Sequence, residues 1–192
     1  MSWPDCHRLD ATPLLPSGWQ EPVAQLAAGP DLTGLIAEPD WHFAVVTGNV
    51  VTRQLDWLWR LYHGAFRDFA GKAFGRPLYP SNRRDATITL NVLAGTGATN
   101  VWHRDANSVT GVLFVTAHPS ADGGALQFRD HGEEFPEVLP IPGLFVCFPG
   151  TAEHRVAPLQ GPLTRLAFAM TFYASPEDQP FASQGERYER PD

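Results

Sequence analysis

The stretch ATITLNVLAGTGATNVWHRDANSVTGVLFVTA, residues 86–117, decides the fold, because its side chains repeat with a period of two. Within residues 86–93, threonine and asparagine alternate with isoleucine, leucine and valine. Successive side chains of a β-strand point to opposite faces, so this pattern predicts a strand with one polar and one apolar face. After a glycine-containing turn, residues 101–105 and 109–117 are predicted as two further strands.

The two-residue period continues beyond this stretch, and a short apolar run closed by a turn precedes it at residues 41–46. Further short strands, separated by turns rich in Gly and Pro, are predicted at residues 41–46, 125–129, 144–148, 154–158 and 165–173. Many short strands at this spacing predict a mainly β protein, either an antiparallel sandwich or a jelly roll (the double-stranded β-helix, or cupin-like, fold).

One long helical pattern precedes these strands. Between residues 52 and 74, apolar residues recur at steps of three and four, which predicts an N-terminal helix packed on the outside of one sheet. Residues 1–39 are predicted as an irregular arm and residues 175–192 as a polar tail. The chain of 192 residues is therefore expected to form a single domain, residues 1–192, with its jelly-roll core at residues 86–173.

The composition excludes several classes of partner. The formal net charge is −7 and no basic cluster is present, so no nucleic-acid partner is expected. No apolar stretch reaches the roughly 18 residues that a membrane span needs, and the N-terminus lacks the pattern of a signal peptide. A cytoplasmic protein without membrane contact is therefore expected.

The last predicted strand, residues 165–173, has two contrasting faces. One face carries bulky apolar residues, and the other begins with Arg165 and continues mainly with small residues. The bulky face favours burial against the helix, whereas a face of small residues is typical of a strand that lines a cavity. The sequence therefore predicts a pair of sheets that enclose a ligand.

Three residues in two of these strands form a candidate metal site. His103 and Asp105 lie two residues apart in a predicted strand, so their side chains leave on the same face. His154 begins a later strand. Two imidazoles and a carboxylate form a facial triad that leaves positions open on iron, whereas structural zinc sites are closed, typically by cysteines. We therefore predict that these three residues bind iron and form the catalytic centre.

Arg165 adds a requirement for an anion. An arginine on a face of small residues needs a negatively charged partner, because burying the cation unpaired is costly. A dicarboxylate with one end on iron and the other on the guanidinium would satisfy both sites.

The motifs that contain these residues resemble a known family. TITLNVLAGTGATNVWHRD (residues 87–105), GGALQF (123–128) and PIPGLFVCFPGTAEHRVAPLQGPLTRLAFAMTFY (140–173) look like the core of the 2-oxoglutarate and Fe(II)-dependent dioxygenases. The prolyl-4-hydroxylase-like branch is the most similar in pattern. The resemblance covers roughly residues 86–173 and includes several motifs in the same order.

The resemblance implies a cofactor set and roles for individual residues. Fe(II) would be held by the triad, and 2-oxoglutarate and dioxygen would be cosubstrates, with ascorbate at most an activator. Arg165 would bind the distal carboxylate of 2-oxoglutarate, and Asn91 matches a polar position near this cosubstrate. Leu93 replaces a tyrosine that helps hold the carboxylate in many relatives, so Thr171 is predicted as a cofactor-binding donor, with Thr89 and Thr164 as alternatives.

The reaction implied is hydroxylation of an unactivated C–H bond, with release of succinate and carbon dioxide. A small molecule, such as an amino acid or a natural-product intermediate, is favoured as substrate over a peptidyl side chain. Arg104, Asn107 and Arg155 lie beside the predicted ligands and are candidate substrate contacts. His118 and His131 are expected to be ordinary surface histidines.

A different metal enzyme is the main alternative. A cupin-type dioxygenase or isomerase that does not use 2-oxoglutarate would have a similar barrel and could use a related ligand set. Nothing in such an enzyme requires Arg165, and this residue therefore favours the first interpretation.

Overall fold

The computed structural model describes residues 5–38 and 41–177 and consists mainly of antiparallel strands in two sheets. The strands are β1 (His7–Asp10), β2 (Thr33–Glu38), β3 (Trp41–Val46), β4 (Tyr79–Pro80), β5 (Ile88–Ala94), β6 (Asn100–His103), β7 (Val109–Phe114), β8 (Leu126–Asp130), β9 (Glu133–Glu134), β10 (Leu144–Pro149), β11 (Glu153–Val156) and β12 (Thr164–Tyr173). The α-helices are α1 (Gln20–Ala27), α2 (Gly48–Gln54), α3 (Asp56–Leu61), α4 (Arg67–Ala73) and α5 (Arg84–Thr87).

The strands form a larger and a smaller sheet. The larger sheet has the order β1-β10-β7-β12-β5-β3-β2, with β4 paired to β12, and the smaller sheet has the order β6-β11-β8-β9. Side chains from both sheets meet in one buried cluster, for example Phe114 and Phe148 from the larger sheet and Phe128 from the smaller. The predicted mainly β jelly-roll fold is therefore confirmed, and the strands expected between residues 86 and 173 are all present with shifted ends.

The single helix predicted for residues 52–74 is wrong. The helical segment begins earlier, at Gly48, and is interrupted at Leu55, whose φ of −121° and ψ of 65° are not helical. A π-helical turn, Tyr62–Phe66, then separates α3 from α4 around Gly64, which has φ −115° and ψ −107°. Apolar periodicity predicted which side chains are buried but not whether the backbone between them is continuous.

The apolar side chains of this helical segment pack on the larger sheet. The ring of Phe66 stacks on that of Phe145 at 4.3 Å between centroids, and Tyr62 stacks on Phe172 at 5.0 Å. The bulky face of β12 belongs to the same buried cluster. The opposite face of β12 is thereby left for the space between the sheets.

The irregular arm predicted for residues 1–39 is also wrong where the structure describes it. β1 pairs with β10, α1 follows, and β2 pairs with β3. These two strands lie at the opposite ends of the larger sheet and cover strands that would otherwise be edges. β1 is stabilised by pairing with a strand far away in the sequence, which local sequence patterns do not encode, whereas β2 pairs with β3, the next strand along the chain.

Two remaining expectations concern the ends of the chain and the membrane. The predicted polar tail lies, beyond Glu177, outside the described residues. Among the described residues, no helix combines the length and the apolar character that crossing a membrane requires.

Candidate active site

His103 and Asp105 come from the end of β6, but not in the way that the sequence predicts. The strand ends at His103, so Asp105 lies just beyond it and not within it. The backbone N–H of Asp105 donates to the carbonyl oxygen of Gly150 at 2.8 Å. The turn before β11, and not the strand itself, therefore positions the backbone of Asp105.

Gly150 is required at this turn because of a close backbone approach. A Cβ atom added at Gly150 would lie 1.8 Å from the carbonyl oxygen of Asn107. Any other residue would push the turn away from the loop that carries Asp105. The glycine therefore lets the turn before β11 pack directly against the segment after β6.

His154 lies directly opposite His103 in the smaller sheet. β11 and β6 are antiparallel, and these two histidines are partners in their register. Their ring centroids are 4.1 Å apart. Residues that are 51 positions apart in sequence (154 − 103) are thus brought together by strand pairing.

The imidazole rings are oriented by the backbone. Nδ1 of His103 donates to the carbonyl oxygen of Val101 at 2.6 Å, and Nδ1 of His154 donates to that of Ala152 at 2.9 Å. A carbonyl oxygen only accepts, so Nδ1 carries the proton in both rings and Nε2 offers its lone pair. Such second hydrogen bonds fix the tautomer and the direction of histidines that bind metals.

The three side chains converge on one point. Nε2 of His103 lies 3.6 Å from Oδ1 of Asp105, and Nε2 of His154 lies 3.7 Å from Oδ2 of Asp105. These separations are too long for hydrogen bonds. One ligand atom from each of the three residues lies within 4.8 Å of the others, which is compatible with a metal ion between them.

The protonation states fit a bound cation. Burial lowers the pKa of His103 to about 3, with a further contribution from the neighbouring His154, and burial lowers the pKa of His154 to about 4. Both imidazoles are therefore neutral near pH 7, as a metal requires. Burial raises the pKa of Asp105, and its Oδ1 atom has no hydrogen-bond partner among the described residues. A divalent cation would compensate this buried carboxylate, so the three residues fit the metal predicted for them.

These pKa values predict how acid affects the metal-free protein. A folded pKa below the usual value of 6.5 means that the unfolded chain binds more protons, so stability falls as the pH is lowered from 6.5 toward 4. Each histidine can contribute a slope of at most about 1.4 kcal/mol per pH unit. We therefore expect the free energy of unfolding of the metal-free protein, measured with denaturant, to fall more steeply between pH 6.5 and 4.5 than that of the metal-free His154→Gln variant. Equal slopes in the two proteins would contradict the buried neutral state of His154.

A short hydrogen-bond chain orients the carboxylate of Asp105. The hydroxyl of Thr110 donates to Oδ2 of Asp105, and Nδ2 of Asn107 donates to the Thr110 hydroxyl at 2.9 Å. Both Thr110 and Asn107 are buried. Asn107 was predicted as a substrate contact, but in the structure its amide donates to Thr110 and belongs to this hydrogen-bond network.

Arg165 is buried beside the metal cluster without an acidic partner. Arg165 is 2% exposed, and no carboxylate among the described side chains forms an ion pair with it. Burial lowers the pKa of Arg165 to about 10, so the guanidinium remains charged near pH 7. Nε donates to the carbonyl oxygen of Gly124 at 2.7 Å, which fixes the side chain. The buried charge is therefore left to attract an anion.

Gly124 is shaped to accept this arginine. Its φ is 76°, which favours glycine, and a Cβ atom at this position would lie 3.2 Å from Cδ of Arg165. The second glycine of the Gly-Gly motif thus leaves room for the Arg165 side chain and accepts its hydrogen bond.

One cavity between the sheets joins the metal cluster to Arg165. Its lining comprises Asn91, Asn100, His103, Asp105, Thr110, Val112, Leu126, His154, Val156, Arg165, Ala167 and Ala169. Asn91 is therefore placed with the other predicted site residues. The small residues at 167 and 169 continue the face that begins with Arg165, as the alternation in β12 predicts.

Three other predicted site residues are not brought into this cavity lining. The hydroxyl of Thr171 donates to the carbonyl oxygen of Ala86 at 3.2 Å. The side chain of Arg104 is 45% exposed and pairs with Glu153 at 3.6 Å. Arg155 donates to Oε1 of Gln127 at 2.7 Å, and its Cζ lies 4.5 Å from the ring centroid of Trp102. These side chains have partners outside the pocket.

Sequence reasoning missed three buried polar residues. Asn100 and Thr110 line the cavity. His118 was expected at the surface but is only 5% exposed. The side chain of His131 is 86% exposed, as predicted. For Thr110, the polar side chain in the apolar run 109–117 was an available signal. The sequence contained no such signal for Asn100, because a regular two-residue period places its side chain on the strand face opposite His103.

Comparisons with known proteins support the fold. The sequence matches no protein-family profile, and no curated protein matches it significantly. Solved structures do match over most of the chain. A prolyl hydroxylase from Trichoplax adhaerens, in complex with a peptide fragment of hypoxia inducible factor, has a TM-score of 0.69 and 15% identity, covering 94% of this chain and 88% of that one.

Two further solved structures also match over most of the chain. The epimerase SnoN, in complex with Fe3+, alpha ketoglutarate and nogalamycin RO, has a TM-score of 0.65 and 12% identity, covering 98% of this chain and 91% of that one. A protein of the 2OG-Fe(II) oxygenase family from Burkholderia pseudomallei has a TM-score of 0.64 and 15% identity, covering 89% and 86%. At these identities the likeness establishes the fold. The chain therefore has the fold of the 2-oxoglutarate and Fe(II)-dependent oxygenases, prolyl hydroxylases included, and within this fold it carries a buried His-Asp-His metal site.

Proposed function

We propose that this protein is a 2-oxoglutarate-dependent Fe(II) oxygenase that hydroxylates an unactivated C–H bond of a small molecule. The observation that carries the proposal is a single cavity lined by two neutral imidazoles, the Asp105 carboxyl and a buried arginine that has no acidic partner among the described residues. A metal site alone would fit many enzymes. A metal site that shares a cavity with a buried cation fits a dicarboxylate cosubstrate.

The triad would hold the iron through Nε2 of His103, Nε2 of His154 and the carboxylate of Asp105. When bound, the iron supplies the oxidation of 2-oxoglutarate by dioxygen to succinate and carbon dioxide, coupled to insertion of one oxygen atom into the substrate. The backbone carbonyls that accept from Nδ1 keep the two rings directed at the ion. The Thr110 hydroxyl fixes one carboxylate oxygen of Asp105 and leaves Oδ1 for the metal.

Arg165 would anchor the end of 2-oxoglutarate that is distant from iron. A guanidinium binds a carboxylate with two parallel hydrogen bonds, and burial strengthens such a pair because water does not compete. Asn91 lies on β5 opposite Ala167, which is two residues from Arg165 on β12. Its amide is therefore a second candidate contact for this cosubstrate.

A small substrate suits the remaining surface of the cavity. Apart from the polar groups above, the lining consists of Val112, Leu126 and Val156 with the small residues Ala167 and Ala169. The similar structures include one solved with nogalamycin RO and one with a peptide, so a peptidyl side chain is the alternative substrate. A metal-dependent dioxygenase or isomerase that does not use 2-oxoglutarate is the alternative function, and it leaves Arg165 without a role.

Succinate formation tests the proposed function. Purified protein supplied with Fe(II), ascorbate, 2-oxoglutarate and air should form succinate slowly even without a substrate, and addition of EDTA should abolish this turnover. In the absence of oxygen, addition of 2-oxoglutarate to the Fe(II) protein should produce a metal-to-ligand absorption band. If neither succinate nor the absorption band appears, the proposed function is wrong.

A further inference from the structure

Asn100 faces the metal cavity because of a β-bulge in β6. His103 pairs with His154, whereas Asn100 pairs with Val156, so three residue steps on β6 match two steps on β11. The extra residue reverses the alternation between these positions. Asn100 therefore lies on the same side of β6 as His103, although a regular strand would place it on the opposite side.

The carboxamide oxygen of Asn100 has no hydrogen-bond partner among the residues that the structure describes. The side chain is 7% exposed, and its Oδ1 atom is buried without a hydrogen bond to any described residue. A buried polar atom without a partner is unfavourable in a folded protein. Such an atom in the lining of a cavity is therefore available for a bound ligand.

The other polar groups of the cavity already have roles or partners. The triad residues would hold the metal, Thr110 donates to Asp105, and Arg165 donates to Gly124. Oδ1 of Asn91 accepts from the hydroxyl of Thr89 at 3.3 Å. 2-Oxoglutarate offers only acceptors at neutral pH, since its carboxylates and keto oxygen carry no proton. It therefore cannot donate to Oδ1 of Asn100.

We infer that Asn100 binds the primary substrate through a hydroxyl or N–H group that donates to its Oδ1 atom. This inference rests on the proposed function and narrows the substrate class. The aliphatic lining of the cavity and an amide acceptor that no described residue satisfies point to a compact, largely aliphatic molecule with such a donor close to the oxidised carbon. Asn100 is a positioning residue for that molecule.

A matched pair of small probes tests this inference without turnover. Cyclopentanol donates and accepts a hydrogen bond, whereas cyclopentanone has nearly the same size and only accepts. Each is added to protein loaded with Mn(II) and 2-oxoglutarate, and the paramagnetic relaxation of the probe protons gives its affinity near the metal. One net hydrogen bond corresponds to a preference of roughly three- to tenfold for the alcohol.

Substitutions of Asn100 test whether this residue causes the preference for the alcohol. Asn100→Leu, and in parallel the smaller Asn100→Ala, should remove the preference for cyclopentanol while Mn(II) still binds. Asn49→Leu, an identical substitution at an exposed position on α2, should retain it. Equal affinity of the two probes for the wild-type protein, or no binding of either, overturns the inference.

A failure of the inference about Asn100 can be distinguished from a failure of the proposed function. Wild-type protein from the same preparation is assayed for succinate with Fe(II). If succinate forms but the alcohol is not preferred, only the role of Asn100 is wrong. If no succinate forms, the proposed function itself fails. A preference for the alcohol that persists in both Asn100 variants assigns the donor contact to another residue and also overturns the inference.

Discussion

Replacing His103 with alanine is expected to abolish Fe(II) binding and succinate formation. His103 would supply one of three ligands; its ring is oriented by the Val101 carbonyl, and its backbone is placed by the pairing of β6 with β11. Loss of an outer partner of a metal ligand already costs roughly 10- to 100-fold in affinity, so loss of a ligand itself should exceed about 100-fold. Anaerobic titration with Fe(II), with bound metal determined after desalting, measures the effect.

A surface histidine provides the control for this experiment. The side chain of His131 is 86% exposed on the turn after β8, so His131→Ala should bind Fe(II) as the wild-type protein does. Unfolding of both variants by denaturant shows whether each is folded. Fe(II) affinity of folded His103→Ala within about threefold of the wild-type value would remove His103 from the proposed ligand set.

Replacing Arg165 with alanine should weaken 2-oxoglutarate binding while Fe(II) binding is kept. The guanidinium is buried, is held by the Gly124 carbonyl and has no acidic partner among the described residues. Hydrogen bonds to charged groups contribute about 1.5–3 kcal/mol, so the loss should be roughly 10- to 100-fold. Titration of the anaerobic Fe(II) protein with 2-oxoglutarate, followed by the absorption band, gives the affinity.

Two comparisons sharpen this prediction. Arg60→Ala removes an arginine whose side chain is 78% exposed on α3, so it should leave the affinity for 2-oxoglutarate unchanged. Arg165→Lys retains the charge but not the paired donors, so its affinity for 2-oxoglutarate should lie between those of the wild-type protein and the alanine variant. Wild-type affinity in Arg165→Ala would place the anchor of the dicarboxylate elsewhere in the cavity.

The sequence predicted the jelly roll because its strands are encoded by local alternation. β12 illustrates this, since its bulky face packs among the buried side chains under the helices and its small face lines the cavity. The helical segment shows the limit of such reasoning. The same apolar spacing fits one helix or several, and the breaks at Leu55 and Gly64 depend on how the segment fits the sheet beneath it.

The candidate ligands could be proposed from the sequence because metal chemistry restricts the residue types. His103, Asp105, His154 and Arg165 were chosen in this way and lie together in one cavity. Predictions based only on closeness in sequence were less successful. Arg104 and Arg155 are near the ligands along the chain, but their side chains pair on the other side of the smaller sheet.

The sequence by itself thus determined the strand order along the chain, the residue types of the metal site and the need of Arg165 for an anion. Only the tertiary structure decided that the backbone of Asp105 is held by Gly150, that β1 extends the larger sheet beside β10, and that Asn100 faces the cavity. The physical reason is the range of the interactions. Alternation and ligand chemistry are properties of neighbouring residues, whereas a close backbone approach, an edge pairing or a β-bulge depends on a partner strand far away in the sequence.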